Sequence, residues 1–287
     1  MNNRMKNSHS NALFHYTKSL DNLISIIKEG FRVSYSGEQI TRTNPDGMPA
    51  SHDIFIGIPM VSFCDIPLDF CEEHISKYGN YAVGVDKSAL IKLAGAILSP
   101  VHYILFDTPI HGAYAHHCSQ IKKQKSQDEV LSQIESVECS VVAPKGNTYE
   151  KGFPLYLNQK NCGIVVSILG SWKEQEYTTF SLGFTKNYTC DYKGKSFCAY
   201  DECEWRIIIP EDREIGEEIV KWFWSKDEYY NWKTSRNNTF LDGFPPIAVP
   251  YKSIKHIIVP SQEEKRTIES LLSELGCEFL KKNITIL

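Results

Sequence analysis

The chain has 287 residues, 42% of them hydrophobic and 12% aromatic, enough to bury a sizeable core as one large domain or two small ones, which argues against a disordered protein. Its formal net charge of -4 argues against a general polyanion binder and leaves room only for a focal basic patch. Met1 to Asn11 is polar, without the apolar stretch of a leader, and no later run is long enough to span a bilayer, so the sequence reads as soluble, unsecreted and cytoplasmic.

In chain order, Ala12 to Tyr16 is a short apolar strand. Ser19 is placed to cap a helix whose apolar face repeats through Leu20, Leu23, Ile26 and Ile27, with Lys28 in its last turn and Gly30 as its stop. Residues 34 to 53, rich in Ser, Asn and Pro and containing Asp46-Gly47, read as a polar loop. The apolar run Ile54 to Phe63 follows, and Met60 to Pro67 reads as a strand closed by a proline turn. A helix through Phe70, His74 and Tyr78, a break at Gly79, a strand Tyr81 to Val85, a helix Ser88 to Ala94 and a strand Val101 to Phe106 come next.

Residues 119 to 139 carry Lys122, Lys123 and Lys125 ahead of Val130, Ile134 and Val137, the pattern of an amphipathic helix, and Lys145 to Gly152 reads as a loop. Together they suggest a partly helical segment inserted at about 107–155. Strands are expected around Gly163 to Leu169, Tyr177 to Phe184 and Glu204 to Ile209. A further strand Ile254 to Val259 leads into a capping box from Ser261 to Glu264, a helix to Leu275, a stop at Gly276 and a last strand through Leu287. No Pro/Gly/Ser-rich linker divides the chain, so one α+β domain over residues 1–287 is expected.

Nine cysteines, an odd number in no regular framework, fit reduced thiols. Cys71-x-x-His74 near Cys64, and His116-His117-Cys118, lack the paired CxxC of a structural zinc site, and no metal is assigned. The chemistry turns on Glu202 and Glu204, which on a strand would share one face. Two carboxylates beside a ribose suit cleavage of an N-glycosidic bond through an oxocarbenium-like state, Glu204 stabilising the positive charge and Glu202 orienting the acceptor or acting as base. The bland alternative makes them solvated edge-strand residues, with Glu204 pairing Arg206. His15 and Thr17 are likewise i and i+2. They could face a cofactor, His15 donating to a ribose hydroxyl or amide carbonyl, or His15 could be a core histidine satisfied by backbone. Tyr78 and Tyr81 could stack on a planar ring or be simple core. Asn22 could be a surface residue and Ser62 a buried hydroxyl bonded to its own backbone.

His15-Tyr16-Thr17 through Asn22-Leu23, Gly30, the segment Ile58 to Leu68, and Glu73-His74-Ile75 through Tyr78-Gly79-Asn80-Tyr81 to Gly84 resemble the AbiGi family of bacterial abortive-infection proteins, densely over residues 12–105. The first motif, His-x-Thr, Asn-Leu and a helix-ending Gly, is also similar to the start of the DarT-like ADP-ribosyltransferases that modify nucleic acids. That resemblance implies a split, mixed β-sheet core with peripheral helices around an NAD cleft. It implies His15, Thr17 and Asn22 as NAD contacts, Ser62 as the small polar residue of the second conserved strand, Tyr78 or Tyr81 as the nicotinamide-facing aromatic, and Glu204 as the catalytic residue. No counterpart of the arginine after the first helix stands out, although Arg32 and Arg42 are candidates. The implied activity is that of an NAD-dependent ADP-ribosyltransferase toxin of anti-phage defence, with NAD as co-substrate and RNA favoured over DNA as acceptor. The acceptor would be reached through Arg206, Lys122, Lys123 and Lys125 and through exposed aromatics such as Trp222, Trp224 and Tyr229. A cognate antitoxin and a chaperone are the implied partners. The rival readings are a catalytically inactive transferase-like antitoxin or binding protein, a protein-directed transferase suggested by the Glu202-x-Glu204 pair, and an NAD glycohydrolase.

Overall fold

The computed structural model describes residues 10–39, 55–94, 97–105, 181–192, 195–210, 214–215, 218–236 and 239–287. The strands are β1 (Ala12–Thr17), β2 (Ser34–Gln39), β3 (Phe55–Cys64), β4 (Tyr81–Asp86), β5 (Leu98–Pro100), β6 (His102–Ile104), β7 (Thr185–Asn187), β8 (Thr189–Tyr192), β9 (Lys195–Cys198), β10 (Glu204–Ile208), β11 (Glu214–Ile215), β12 (Glu218–Ile219), β13 (Ile254–Val259) and β14 (Ile284–Ile286). The helices are α1 (Leu20–Glu29), α2 (Glu72–Tyr78), α3 (Lys87–Ala94), α4 (Lys226–Thr234) and α5 (Gln262–Glu274). The architecture is α+β, as expected.

Eight strands form one mixed sheet in the order β14-β13-β4-β1-β3-β10-β5, with β2 also on β3. β3 is its long member, a continuous apolar run buried almost throughout, as a central strand covered on both faces must be. Its first half pairs with β2, Ser34 opposite Met60 through Gln39 opposite Phe55. Its second half pairs with β10, Met60 opposite Ile208 through Cys64 opposite Glu204. β1 meets it at a single pair, Phe14 opposite Cys64, and then diverges along β4. Since Met60 lies between β2 and β10, and Cys64 between β1 and β10, β1 and β2 share one side of β3 and leave Val61, Ser62 and Phe63 between them. The His15 ring closes that gap, its Nδ1 2.8 Å from the Ser62 carbonyl oxygen.

The sheet separates two apolar clusters, because alternate residues of a strand face opposite ways. Leu13, Val83 and Ile257 face the larger one, which α1 and α5 cover with Leu23, Ile27, Ile268 and Leu272. Phe14, Cys64, Ala82 and Ile258 face the smaller one, which Tyr16 and Leu68 border. α1 forms as its pattern predicts, with the Ser19 side chain accepting from the Asn22 N–H and Gly30 at φ 108 as its C-cap. α2 ends the same way at Gly79, φ 117, where a Cβ would stand 2.2 Å from the Thr17 carbonyl oxygen. Only glycine allows that close approach, which sets α2 against the end of β1.

Several sequence expectations need correction. The loop expected at 34–53 begins as strand β2, held by pairing to β3 despite its Ser and Gly content, so tertiary context outweighed local propensity. The strand expected through Phe184 is a helical end at 181–182 and a turn at 183–184. The strand expected at Val101 to Phe106 is the shorter β6, His102–Ile104, which pairs with β7 outside the main sheet. At α5 the Ser261 side chain accepts from Glu264 N–H, but the Glu264 carboxylate takes the Tyr81 hydroxyl and the Ser261 hydroxyl rather than closing a capping box. A complete box occurs instead at Ser225 and Glu228 of α4. The inserted segment at about 107–155 and the strand expected at Gly163 to Leu169 lie outside the described residues.

Candidate active site

Where β1 leaves β3, a cleft of about 300 Å³ opens on the smaller-cluster face, lined by Phe14, His15, Tyr16, Ser36, Glu38, Ser62, Phe63, Cys64, His74, Tyr78, Lys186, Glu202 and Glu204. Strand pairing positions its acidic floor. Glu204 begins β10, directly opposite Cys64, and Arg206, two residues on, is opposite Ser62 on the same face. β10 lies inside the sheet between β3 and β5, so Glu204 is buried rather than a solvated edge residue. It nevertheless pairs with Arg206, as the bland alternative supposes.

Every oxygen of that carboxylate is used. Glu204 Oε1 accepts from Ser62 Oγ at 3.0 Å and Arg206 Nε at 2.8 Å; Oε2 accepts from Lys186 Nζ at 2.9 Å and Arg206 Nη2 at 3.1 Å. The Glu204 backbone N–H donates to the Tyr103 hydroxyl at 2.8 Å. Arg206, fully buried, also donates Nη1 to the Gly183 carbonyl at 3.0 Å and Nη2 to Glu38 Oε1 at 2.8 Å. Arg206 is thus part of the site's frame rather than an exposed acceptor contact. Burial alone would raise the Glu204 carboxyl, but the charges of Arg206 and Lys186, with their hydrogen bonds, hold it well below the carboxylate range. A carboxylate so held is a permanent anion, suited to stabilising positive charge and unsuited to accepting a proton.

Glu202 reaches the same place by another route. It ends a single 3-10 turn, Ala199–Glu202, and Cys203 in the left-handed region, φ 44, turns the chain into β10. The expected strand alternation of Glu202 and Glu204 is therefore absent, yet the two carboxylates converge on one ammonium, Lys186 Nζ lying 2.7 Å from Glu202 Oε2. The other Glu202 oxygen accepts from the Tyr78 hydroxyl. Burial would lower the Lys186 amine, but Glu204, Glu38 and Glu202 hold it well above its ordinary value.

Over this floor stands an aromatic wall. Tyr16 and His74 are 5.9 Å apart, His74 and Tyr78 5.4 Å, all from β1 and α2. His15 packs edge-on between Phe31 and Phe63. Burial lowers its pKa, with the Ser62 carbonyl as a smaller opposing influence. A carbonyl can only accept, so Nδ1 carries the proton and Nε2 is left with a lone pair. His15 can therefore accept from a ribose hydroxyl, the reverse of the donating role expected for it.

The remaining expected contacts fall elsewhere. Thr17 is buried behind the cleft, its hydroxyl accepting from Asn22 Nδ2 at 3.0 Å, so this pair ties β1 to α1. Tyr81 points to α5, bonding Glu264, which leaves Tyr78 as the cleft tyrosine. Trp222 and Tyr229 are core residues, their polar atoms donating to the Ile209 and Tyr35 carbonyls, and Trp224 packs beside them, because Gly37 and Gly57 leave room for large rings over β2 and β3. Lys122, Lys123, Lys125 and His116-His117-Cys118 lie outside the described residues. Sequence reasoning missed Lys186 and Glu38, the first in a stretch with no motif, the second in a segment read as loop. The alternation of Ser36 and Glu38 in a strand pairing with β3 is the signal that could have found the latter.

Among the described residues no group of three His, Cys, Asp or Glu side chains is arranged to hold a metal ion, and no helix is long and apolar enough to cross a membrane. The model of the family described as "Putative abortive phage resistance protein AbiGi, antitoxin" matches residues 31–260. No curated protein and no solved structure matches the chain.

Proposed function

We propose, since the chain belongs to the AbiGi family of abortive phage resistance proteins, that its cleft takes NAD and transfers ADP-ribose to a nucleic acid, RNA ahead of DNA, as the toxic activity of an anti-phage defence. The observation that carries this reading is convergence. His15, Ser62, Tyr78 and the pair Glu202 and Glu204, which come from distant parts of the sequence, line one cleft. Tyr78 and His74 offer a face for the nicotinamide ring, and the His15 lone pair offers an acceptor for a ribose hydroxyl. In the reaction the bond from ribose C1′ to the nicotinamide nitrogen breaks, its electron pair leaving with neutral nicotinamide. The cationic ribose is stabilised by the fixed charge of Glu204, whose orientation Ser62 and Arg206 maintain. An acceptor nitrogen or oxygen then bonds C1′ and passes its proton to the Glu202 carboxylate.

A second reading is a binding protein that neutralises a partner, an antitoxin without catalysis. It is favoured by the family's own description and by the full occupation of the Glu204 oxygens. Incubating the protein with labelled NAD and separate pools of RNA, DNA and total protein, wild type against Glu204→Gln, decides between them. Label entering one pool with wild type alone identifies a transferase and its acceptor; no label and no NAD loss favours the antitoxin. Free ADP-ribose without a labelled macromolecule marks a glycohydrolase.

A further inference from the structure

Two cations neutralise Glu204, and they are not equivalent. Arg206 is fully buried, belongs to the main sheet and is anchored outside the acid pair by Gly183 and Glu38. Lys186 lines the cleft; its described hydrogen bonds go to the two carboxylates, at 2.7 and 2.9 Å, and the charge of Glu38 acts on it as well. Its strand, β7, pairs with β6 in a separate two-stranded sheet that is tied to β10 by the Val101 N–H on the Glu204 carbonyl, the Glu204 N–H on the Tyr103 hydroxyl and Arg206 on the Gly183 carbonyl, so the freedom to move lies in the Lys186 side chain. The ammonium also stands beside the aromatic wall, since Tyr78 bonds the same Glu202.

An acid pair beside an aromatic face is the seat that a planar or ribosyl cation would take. We propose that Lys186 is a built-in occupant of that seat, a plug that mimics the cationic centre of the substrate and keeps the cleft closed until its flexible side chain swings out. This deepens the NAD reading above and rests on it for the identity of the substrate. A four-carbon stem with one point charge can leave by rotamer changes, whereas the forked Arg206 cannot leave without abandoning Glu38 and Gly183. A rise in pH would not release the plug, because Glu204, Glu38 and Glu202 hold the Lys186 amine well above its ordinary value. A competing cation would.

The test compares wild type, Lys186→Met and Lys186→Arg in binding of 1-methylnicotinamide, a pyridinium cation, and in NAD cleavage, with thermal melting as a control. If the open state is populated at a tenth or less, removing the plug should tighten probe binding about tenfold or more, with Lys186→Arg near wild type. Tighter binding together with faster NAD cleavage supports both proposals. Tighter binding without cleavage in any variant supports the plug and removes the transferase reading. Cleavage by wild type that falls in Lys186→Met, with probe binding unchanged or weaker, overturns the plug and makes Lys186 a fixed counter-charge. Should Lys186→Met fail to fold, Lys186→Gln, which keeps a polar side chain of similar reach without the charge, should still tighten probe binding several-fold; weaker or unchanged binding there overturns the proposal.

Discussion

Arg206→Met should be the most destabilising single change at the site. It leaves the Glu204 carboxylate with Lys186 and Ser62 alone, and Glu38 without its 2.8 Å partner, while Gly183 loses a donor at 3.0 Å. Removing one member of a buried ion pair costs roughly 3–5 kcal/mol, because the remaining charge stays desolvated. At roughly 2–4 °C per kcal/mol for a chain of this size class, the melting point should fall on the order of 10 °C. Glu204→Gln in the Arg206→Met background should recover part of that loss, giving a coupling of about 1–3 kcal/mol in a double-mutant cycle followed by urea unfolding. The gap between wild type and Arg206→Met should also narrow on acidification, because without Arg206 the Glu204 carboxyl no longer sits so far below its ordinary value. A variant that melts with wild type, or a coupling near zero, would refute the claim that this network carries net stability.

Ser62→Ala removes the 3.0 Å donor to Glu204 and should cost about 1.5–3 kcal/mol in chemical unfolding, with native circular dichroism retained. Tyr78→Phe removes the hydroxyl bonded to Glu202 but keeps the ring, so it should lower the melting point while NAD binding by calorimetry survives, whereas Tyr78→Ala should lose both. Wild-type stability should decline as pH falls below about 6.5, since burial holds the His74 and His15 pKa values below the unfolded one and unfolding then takes up protons. His74→Phe should flatten that part of the profile. The contribution of Glu204, depressed in the fold, is present above about pH 4.3 and should be lost only as pH falls further. Gly79→Ala places a Cβ 2.2 Å from the Thr17 carbonyl at positive φ and should destabilise by at least about 1–3 kcal/mol in the same assay.

What could be read from the sequence is what local chemistry specifies. The Ser19 cap, the Gly30 and Gly79 stops, the β3 run and the α5 pattern each announce themselves within a few residues, and they place β1, α1, α2, β4 and β13 within a residue or two of where they fold. β2 escaped because Ser, Gly and Glu become strand only through pairing with a distant partner. The same non-locality hid Lys186 and Glu38, which acquire meaning only when β7 and β2 are brought to β10. Thr17 and Tyr81 were misplaced for a different reason. They pair with each other on the face that α1 and α5 cover, whereas the cleft opens toward the opposite one, and parity alone does not say which face holds the site. Glu202 shows the converse, a right neighbourhood reached without the expected strand, because one left-handed residue, Cys203, did the turning.

The strand order has a consequence for timing on the ribosome. β1, β3 and β4 emerge early, but β3 waits for β10, and β4 waits for β13, before either is covered on both sides. Pairings of that sequence separation form late and cooperatively. A nascent chain therefore displays the aromatic wall well before it holds the Glu202 and Glu204 carboxylates opposite, and the site is complete only when most of the protein has been made.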